Sequence, residues 1–302
     1  DDSDSDAGVV ETATRARVEM PPPCGLNTVD LLKLASRNLG LSPHRTMRAA
    51  ERLYLDGLIS YPRTETTRYP ESLDVVATVR ALRDDPRWRD AVDERLLADP
   101  QKLAARVAKA SRRRGVDAGD HPPIVPTALL RSHSDDNTAG GENSTPEARV
   151  YDLVARRFLA SVAEPLVRDR AEAVVAHKAT GEKFVATASA VVDPGFRVFF
   201  VNSRKTNTQD DAANEAAATR QQQERVAALG ALRQGQRVRL EVGERPILAH
   251  TEPPGPLGEA ECVALMEKYG VGTDASIPGH MDTVEKRRYV RVERHGGVRC
   301  LR

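Results

Sequence analysis

The chain has 302 residues, of which 40% are hydrophobic and 29% charged, with a formal net charge of +1. This length allows more than one compact domain of roughly 100–200 residues, the composition reads as soluble and globular, and the charge total excludes a uniformly basic nucleic-acid binder. No apolar run approaches the ~20 residues of a membrane-spanning helix, and no basic-then-apolar leader opens the chain, so nothing argues for secretion.

Charge is distributed unevenly along the chain. Residues 1–6 hold four acids, residues 102–114 hold six bases and no acid, and residues 286–302 hold seven bases against one acid. Such segregation leaves room for a positive surface beneath a near-zero total. Three cysteines, Cys24, Cys262 and Cys300, lie far apart with no Cys-x-x-Cys pair. They argue against a disulfide framework and against a zinc site.

In chain order, residues 1–20 are acidic without apolar periodicity and read as a tail or a cut strand end. Asn27 or Thr28 caps a first helix with Val29, Leu32, Ala35 and Leu39 on one side, stopped by Gly40. Ser42 and Pro43 open a second helix, with Met47, Ala50, Leu53 and Tyr54 on one stripe and Gly57 at its end. Leu58 to Tyr61 is β-prone. Helix, turn, helix, strand is the outline of a winged-helix or helix-turn-helix unit.

Helices are expected near 71–82, 86–98 and 146–162, with a polar loop at 131–145. After Pro165 the chain turns β-rich. Residues 171–179 and 183–192 form strands around a turn at Thr180 and Gly181, with further strands at 196–201 and 236–242. Residues 203–224 are polar and alanine-rich and read as a disordered insertion. A second helix, turn, helix, strand outline closes the chain, with Glu259 to Tyr269, a helix capped by Ser276, and Tyr289 to Val292.

The chemistry centres on Tyr61. Pro62 takes the chain out of any ladder beside it, and Arg63 follows two residues on. A phenol with pKa ~10 needs nearby positive charge to act as a nucleophile. A guanidinium can clamp two phosphate oxygens. The pair therefore suits attack on a phosphodiester, although on spacing alone a surface tyrosine beside an arginine is the commoner case.

Three stretches change that weighting. Leu26 to Ser36, with Ala50 to Tyr54 and Gly57 to Thr67, resembles the nucleophile-bearing domain of type IA DNA topoisomerases, topoisomerase III above all. Asp117 to Ile124 is similar to a later stretch of that domain and leans to the beta form. Leu265 to Pro278 resembles the family's DNA-groove segment. The matches cover most of 21–166 and 251–302, while the middle matches mainly in position and pattern.

The resemblance implies an α+β multidomain core. Its parts are a nucleophile-bearing, winged-helix-like domain at 21–166, a β-rich arch at 167–250 and part of a DNA-groove domain at 251–302. It implies Tyr61 as nucleophile through a 5′-phosphotyrosyl link, Arg63 on the scissile phosphate, and His121 near that phosphate as a DNA contact or proton relay. Thr64, Thr273, Asp274, Ser276 and Arg287 fall on DNA-binding positions. The implied reaction is ATP-independent: one strand is cut, another passes, and the cut is rejoined, with negatively supercoiled DNA relaxed.

Single-stranded or negatively supercoiled DNA is the implied substrate, with RNA as a second candidate. An accessory protein and a nuclear, intracellular location are expectations of the same kind. The resemblance also places Mg²⁺ and a lysine on an N-terminal Toprim domain that these residues do not include. No metal ligand is expected in this chain, the acidic residues 1–6 do not replace that domain, and the 302 residues alone are expected to cleave DNA poorly. Gly258 departs from the family's threonine and weakens a helix cap.

Two alternatives stand beside this reading. One is a non-catalytic winged-helix nucleic-acid-binding module, which has no use for Tyr61 with Arg63. The other is a tyrosine recombinase, which wants several arginines and histidines around its tyrosine.

Overall fold

The computed structural model describes residues 7–113, 115–130, 145–200, 209–240, 250–251, 253–295 and 298–302. It opens with strand β1 (Ala7–Met20), followed by helices α1 (Thr28–Leu39), α2 (Pro43–Leu55), α3 (Val75–Arg83) and α4 (Arg89–Val92). A π turn (Asp93–Leu97) leads to α5 (Pro100–Arg113) and α6 (Pro146–Ser161). Strands β2 (Leu166–His177) and β3 (Lys183–Asp193), helix α7 (Gln209–Ala231) and strand β4 (Arg237–Arg239) come next. The C-terminal elements are β5 (Leu257–Gly258), α8 (Glu259–Lys268), α9 (Ile277–Lys286), β6 (Val292–His295) and β7 (Val298–Leu301).

These elements make two compact units, each assembled from separated segments. One comprises the residues up to Pro21, Pro165–Arg197 and 201–252; the other comprises Pro22–Glu164, Val198–Phe200 and Pro253–Arg302. The sequence division at 1–20, 21–166, 167–250 and 251–302 is regrouped accordingly.

In the helical unit, local chemistry sets the helix ends. The Asn27 side chain accepts from the Asp30 N–H at 2.9 Å, and Gly40 closes α1 in the left-handed region at φ 61°. Ser42 and Thr145 cap α2 and α6, each followed by a proline whose missing N–H costs nothing in a first turn. Apolar burial then joins distant segments. Val29 and Leu32 of α1 and Met47 of α2 pack with Val263, Ile277 and Met281 of α8 and α9. Residues 253–302 are therefore part of this unit, their helices α8 and α9 sharing a core with α1 and α2.

The β unit is one antiparallel sheet in the order β3-β2-β1-β4. Of the two readings of 1–20, a tail or a cut strand end, the described part is a strand: β1 pairs with β2 from Gly8 opposite His177 to Met20 opposite Leu166. Composition leaves the choice open because β1 is held by its ladder and by charge. Arg15 and Arg17 bind Asp169 on β2 at 3.1 and 2.9 Å.

The disordered insertion expected at 203–224 is corrected for residues 209–224, which belong to α7. Val226 of α7 is buried in a cluster with Ala171, Ala188 and Ala190 of the sheet. Residues 203–208 lie outside the described residues.

Two expected strands are absent. In place of the strand expected at 196–201, the described residues hold a 3₁₀ turn, Gly195–Phe199. Pro194 cannot donate to a ladder, Asp193 accepts from the Gly195 N–H at 2.8 Å, and the Arg197 N–H donates to the Pro194 carbonyl at 3.0 Å. Leu58 to Tyr61 is no strand either, since only isolated bridges join Ile59 to Pro126 and Leu26 to Ile124. At the C-terminal end, α8 and α9 lie between β5 and the β6–β7 pair of an antiparallel sheet of order β5-β7-β6.

Candidate active site

The nucleophile candidate sits on a loop held to a second loop by hydroxyl groups. Beyond α2, the Ser60 N–H donates to the Val125 carbonyl and the Ser60 hydroxyl to the Pro123 carbonyl, both at 2.9 Å. The Thr28 hydroxyl, at the first residue of α1, donates to the Pro62 carbonyl at 2.8 Å and accepts from the Thr64 N–H at 2.8 Å. Asp120 then draws in the next three residues, accepting from the Thr64 hydroxyl at 3.2 Å, the Glu65 N–H at 2.8 Å and the Thr66 hydroxyl. Burial works against the charge on Asp120, but these donors outweigh it and hold its pKa below the ordinary carboxylate value.

This stitching places His121 beside Tyr61. Their ring centroids are 4.5 Å apart at 61°, and Tyr54 of α2 meets Tyr61 at 5.1 Å and 72°. Both are edge-to-face contacts of the favoured kind. Tyr61 is half-buried, His121 is exposed, and Tyr54 is 42% exposed. The phenol therefore stands between two aromatic rings at a surface.

Arg63 is already engaged. Its Nε donates to Glu51 of α2 at 3.1 Å, Nη2 donates to the same carboxylate oxygen, and Nη1 donates to the Ala275 carbonyl at 2.9 Å. Ala275 lies in the turn that holds Thr273, Asp274 and Ser276. Arg63 thus ties together the nucleophile loop, α2 and that turn.

Not every expected DNA contact is placed to touch a ligand. Thr64 is fully buried, and its one hydroxyl proton is directed to the His121 carbonyl at 2.6 Å, with Asp120 a longer second acceptor at 3.2 Å. It sits behind the site rather than on its surface, which corrects its expected role as a DNA contact. Ser276 occupies the N-cap position of α9 but makes no side-chain capping hydrogen bond. Its hydroxyl oxygen accepts from the Thr273 N–H at 2.8 Å, so that amide is already bonded. Gly272 allows this turn at φ 82°, where an added Cβ would lie 2.8 Å from the Ser276 oxygen.

Asp274 is partly exposed in the same turn, and Thr273 is exposed. Arg287 is exposed at the end of α9. Among the described residues, no group of three or more His, Cys, Asp or Glu side chains is arranged to hold a metal ion.

Sequence reasoning missed Glu51, Tyr54 and Asp120 as parts of this site. Glu51 and Tyr54 stand three residues apart on α2, a spacing that puts two side chains on one helical face. That spacing was the available signal.

A family model described as DNA topoisomerase matches residues 2–298. The chain belongs to the DNA topoisomerase family, and within it is topoisomerase III-like, of type IA. It is 35% identical to DNA topoisomerase 3-beta-1 of Homo sapiens over 285 residues, covering 94% of this chain and 28% of that protein. It is 37% identical to DNA topoisomerase 3-beta of Arabidopsis thaliana over 276 residues, covering 90% of this chain and 27% of that protein.

DNA topoisomerase 1 of Archaeoglobus fulgidus is 32% identical over 282 residues, 93% of this chain and 36% of that protein. The chain therefore spans only about a quarter to a third of these relatives. The solved structure of full-length topoisomerase I from Thermotoga maritima shares the fold. It superposes with a TM-score of 0.60 at 20% identity, over 97% of this chain and 42% of that one.

Proposed function

We propose that this chain supplies the nucleophile of a type IA DNA topoisomerase that cuts and rejoins one DNA strand. The observation that carries the proposal is Tyr61 held between His121 and Tyr54, with Arg63 two residues on, in a chain of this family.

In the proposed step, the Tyr61 oxygen attacks the scissile phosphorus. The new bond joins Tyr61 to the 5′-phosphate, and the bond to the neighbouring 3′-oxygen breaks. The phenol loses a proton and the leaving 3′-oxygen gains one; His121, whose ring packs edge-on against Tyr61, is the proposed relay. Arg63 binds the non-bridging oxygens and offsets the extra charge of the transition state. Bond energy is kept in the phosphotyrosine, so rejoining needs no ATP.

Mg²⁺ would be held by a Toprim domain of the whole protein and would offset phosphate charge. The helices α8 and α9 with the β6–β7 hairpin serve as a winged-helix-like groove for a single strand, with Thr273, Asp274 and Arg287 along it. The β unit serves as the arch that lets the nucleophile move away for strand passage. The substrate class is single-stranded or negatively supercoiled DNA, with RNA as a further candidate, and the setting is the nucleus.

The test is covalent trapping with the complete protein that contains this chain, a labelled single-stranded oligonucleotide and Mg²⁺, followed by detergent. Wild type should give an adduct and Tyr61→Phe none, with binding retained in both. Binding without an adduct in wild type would favour a non-catalytic nucleic-acid-binding module.

A further inference from the structure

We infer that Glu51 is the resting counter-ion of Arg63, a carboxylate that a nucleic-acid phosphate must displace. The inference rests on the proposed role of Arg63 as a phosphate ligand and adds how access to it is controlled. A guanidinium offers five donors in a fixed fork. The Nε and Nη2 edge of that fork is turned to Glu51, while Nη1 holds the Ala275 carbonyl. Glu51 meets that edge with one oxygen, Oε1, which takes both donors; a phosphate oxygen would need the same place, so only one anion can occupy it at a time.

The surroundings suit an exchange. The pair is partly open to solvent, with side-chain exposures of 29% for Arg63 and 40% for Glu51, and such pairs are weak locks. The Ala275 carbonyl is a neutral second anchor that keeps Arg63 in place when Glu51 leaves. The freed carboxylate also has a destination. Glu51 lines a groove of about 420 Å³ with Arg45, Arg48 and Arg52. Arg52 already pairs with Asp56 at 3.1 Å. Arg48 stands three residues before Glu51 on the same helix, the spacing at which side chains meet. Glu51 is thus a positioning residue that sets how readily Arg63 accepts an anion.

The sign of one substitution separates this role from a scaffold role. In the complete protein carrying Tyr61→Phe, which cannot form an adduct, binding of a labelled single-stranded oligonucleotide is measured by anisotropy across a salt series. Glu51→Gln should tighten binding about two- to five-fold, the range set by losing one exposed competing ion pair. It should also steepen the log–log salt dependence by up to about 0.7, the value for one further uncompensated single-strand phosphate contact.

The same change made beside Arg63→Gln should have no effect, and neither should Glu147→Gln, the other carboxylate lining the groove. Weaker or unchanged binding for Glu51→Gln would overturn the inference and leave Glu51 as a prop for Arg63. An equal gain from Glu147→Gln, or without Arg63, would reduce it to bulk charge. Failure of the nucleophile proposal shows elsewhere, as a missing wild-type adduct, and leaves this binding comparison readable.

Discussion

Asp120 accepts hydrogen bonds from three consecutive residues after Arg63 while its neighbour His121 packs on Tyr61. The carboxylate therefore fixes one loop against the other without reaching the phenol. Its lowered pKa makes this testable by pH. A carboxylate with a folded pKa below its unfolded one stabilises the fold above the unfolded value, and that stability is lost as pH falls through the folded value. Wild type should thus melt at a higher temperature than Asp120→Asn near pH 7, and the gap should close as pH falls below about 4. A gap that stays constant down to pH 2 would show that charge on Asp120 contributes nothing.

At this scale the sequence drew attention to Tyr61, Arg63 and His121 because their pattern resembles the family's, and the fold brings His121 beside Tyr61. Thr64 was misjudged because a hydroxyl beside a candidate phosphate site reads the same whether it faces outward or, as here, into the protein. Asp120 was hidden for a related reason: its partners lie more than fifty residues away, and only the fold brings them together.

Among the elements, helices with caps and wide apolar stripes were readable. The bounds of α1, α2 and α6 follow Asn27, Ser42 and Thr145. α7 was not readable, because it docks on alanines. Against Ala171, Ala188 and Ala190 it needs only Val226, with Leu229 beside it, so little apolar periodicity appears. β1 was legible only as one of two readings, since its arginines pair with Asp169 and Val10 is its one deeply buried apolar side chain among the described residues.

A docked α7 makes a prediction. Val226 is 2% exposed, and Val226→Asp would bury a charge without a partner, which costs several kcal/mol unless the helix leaves the sheet. Amide exchange should rise sharply along 216–231 in this variant, with little change in α1 and α2. Unchanged protection would show that α7 does not depend on that seat.

For the whole molecule, composition and charge placed the chain among ordinary globular sequences and said little else. The net charge of +1 conceals basic stretches at 102–114 and 286–302. The division into units could not be read along the chain, because each unit is built from segments far apart in sequence. Val263, Ile277 and Met281 complete a core begun by Val29, Leu32 and Met47, and no local pattern announces that pairing. Family membership follows from a match over residues 2–298, while the activity of the whole protein rests on the proposal for Tyr61.

The most direct measurement of that proposal is to locate the bond itself. The complete protein is reacted with a single-stranded oligonucleotide, trapped, digested with protease and nuclease, and analysed by mass spectrometry. The account predicts one modified peptide, with a nucleotide joined through its 5′-phosphate to Tyr61. A nucleotide on another residue, or one joined through its 3′-phosphate, would contradict it.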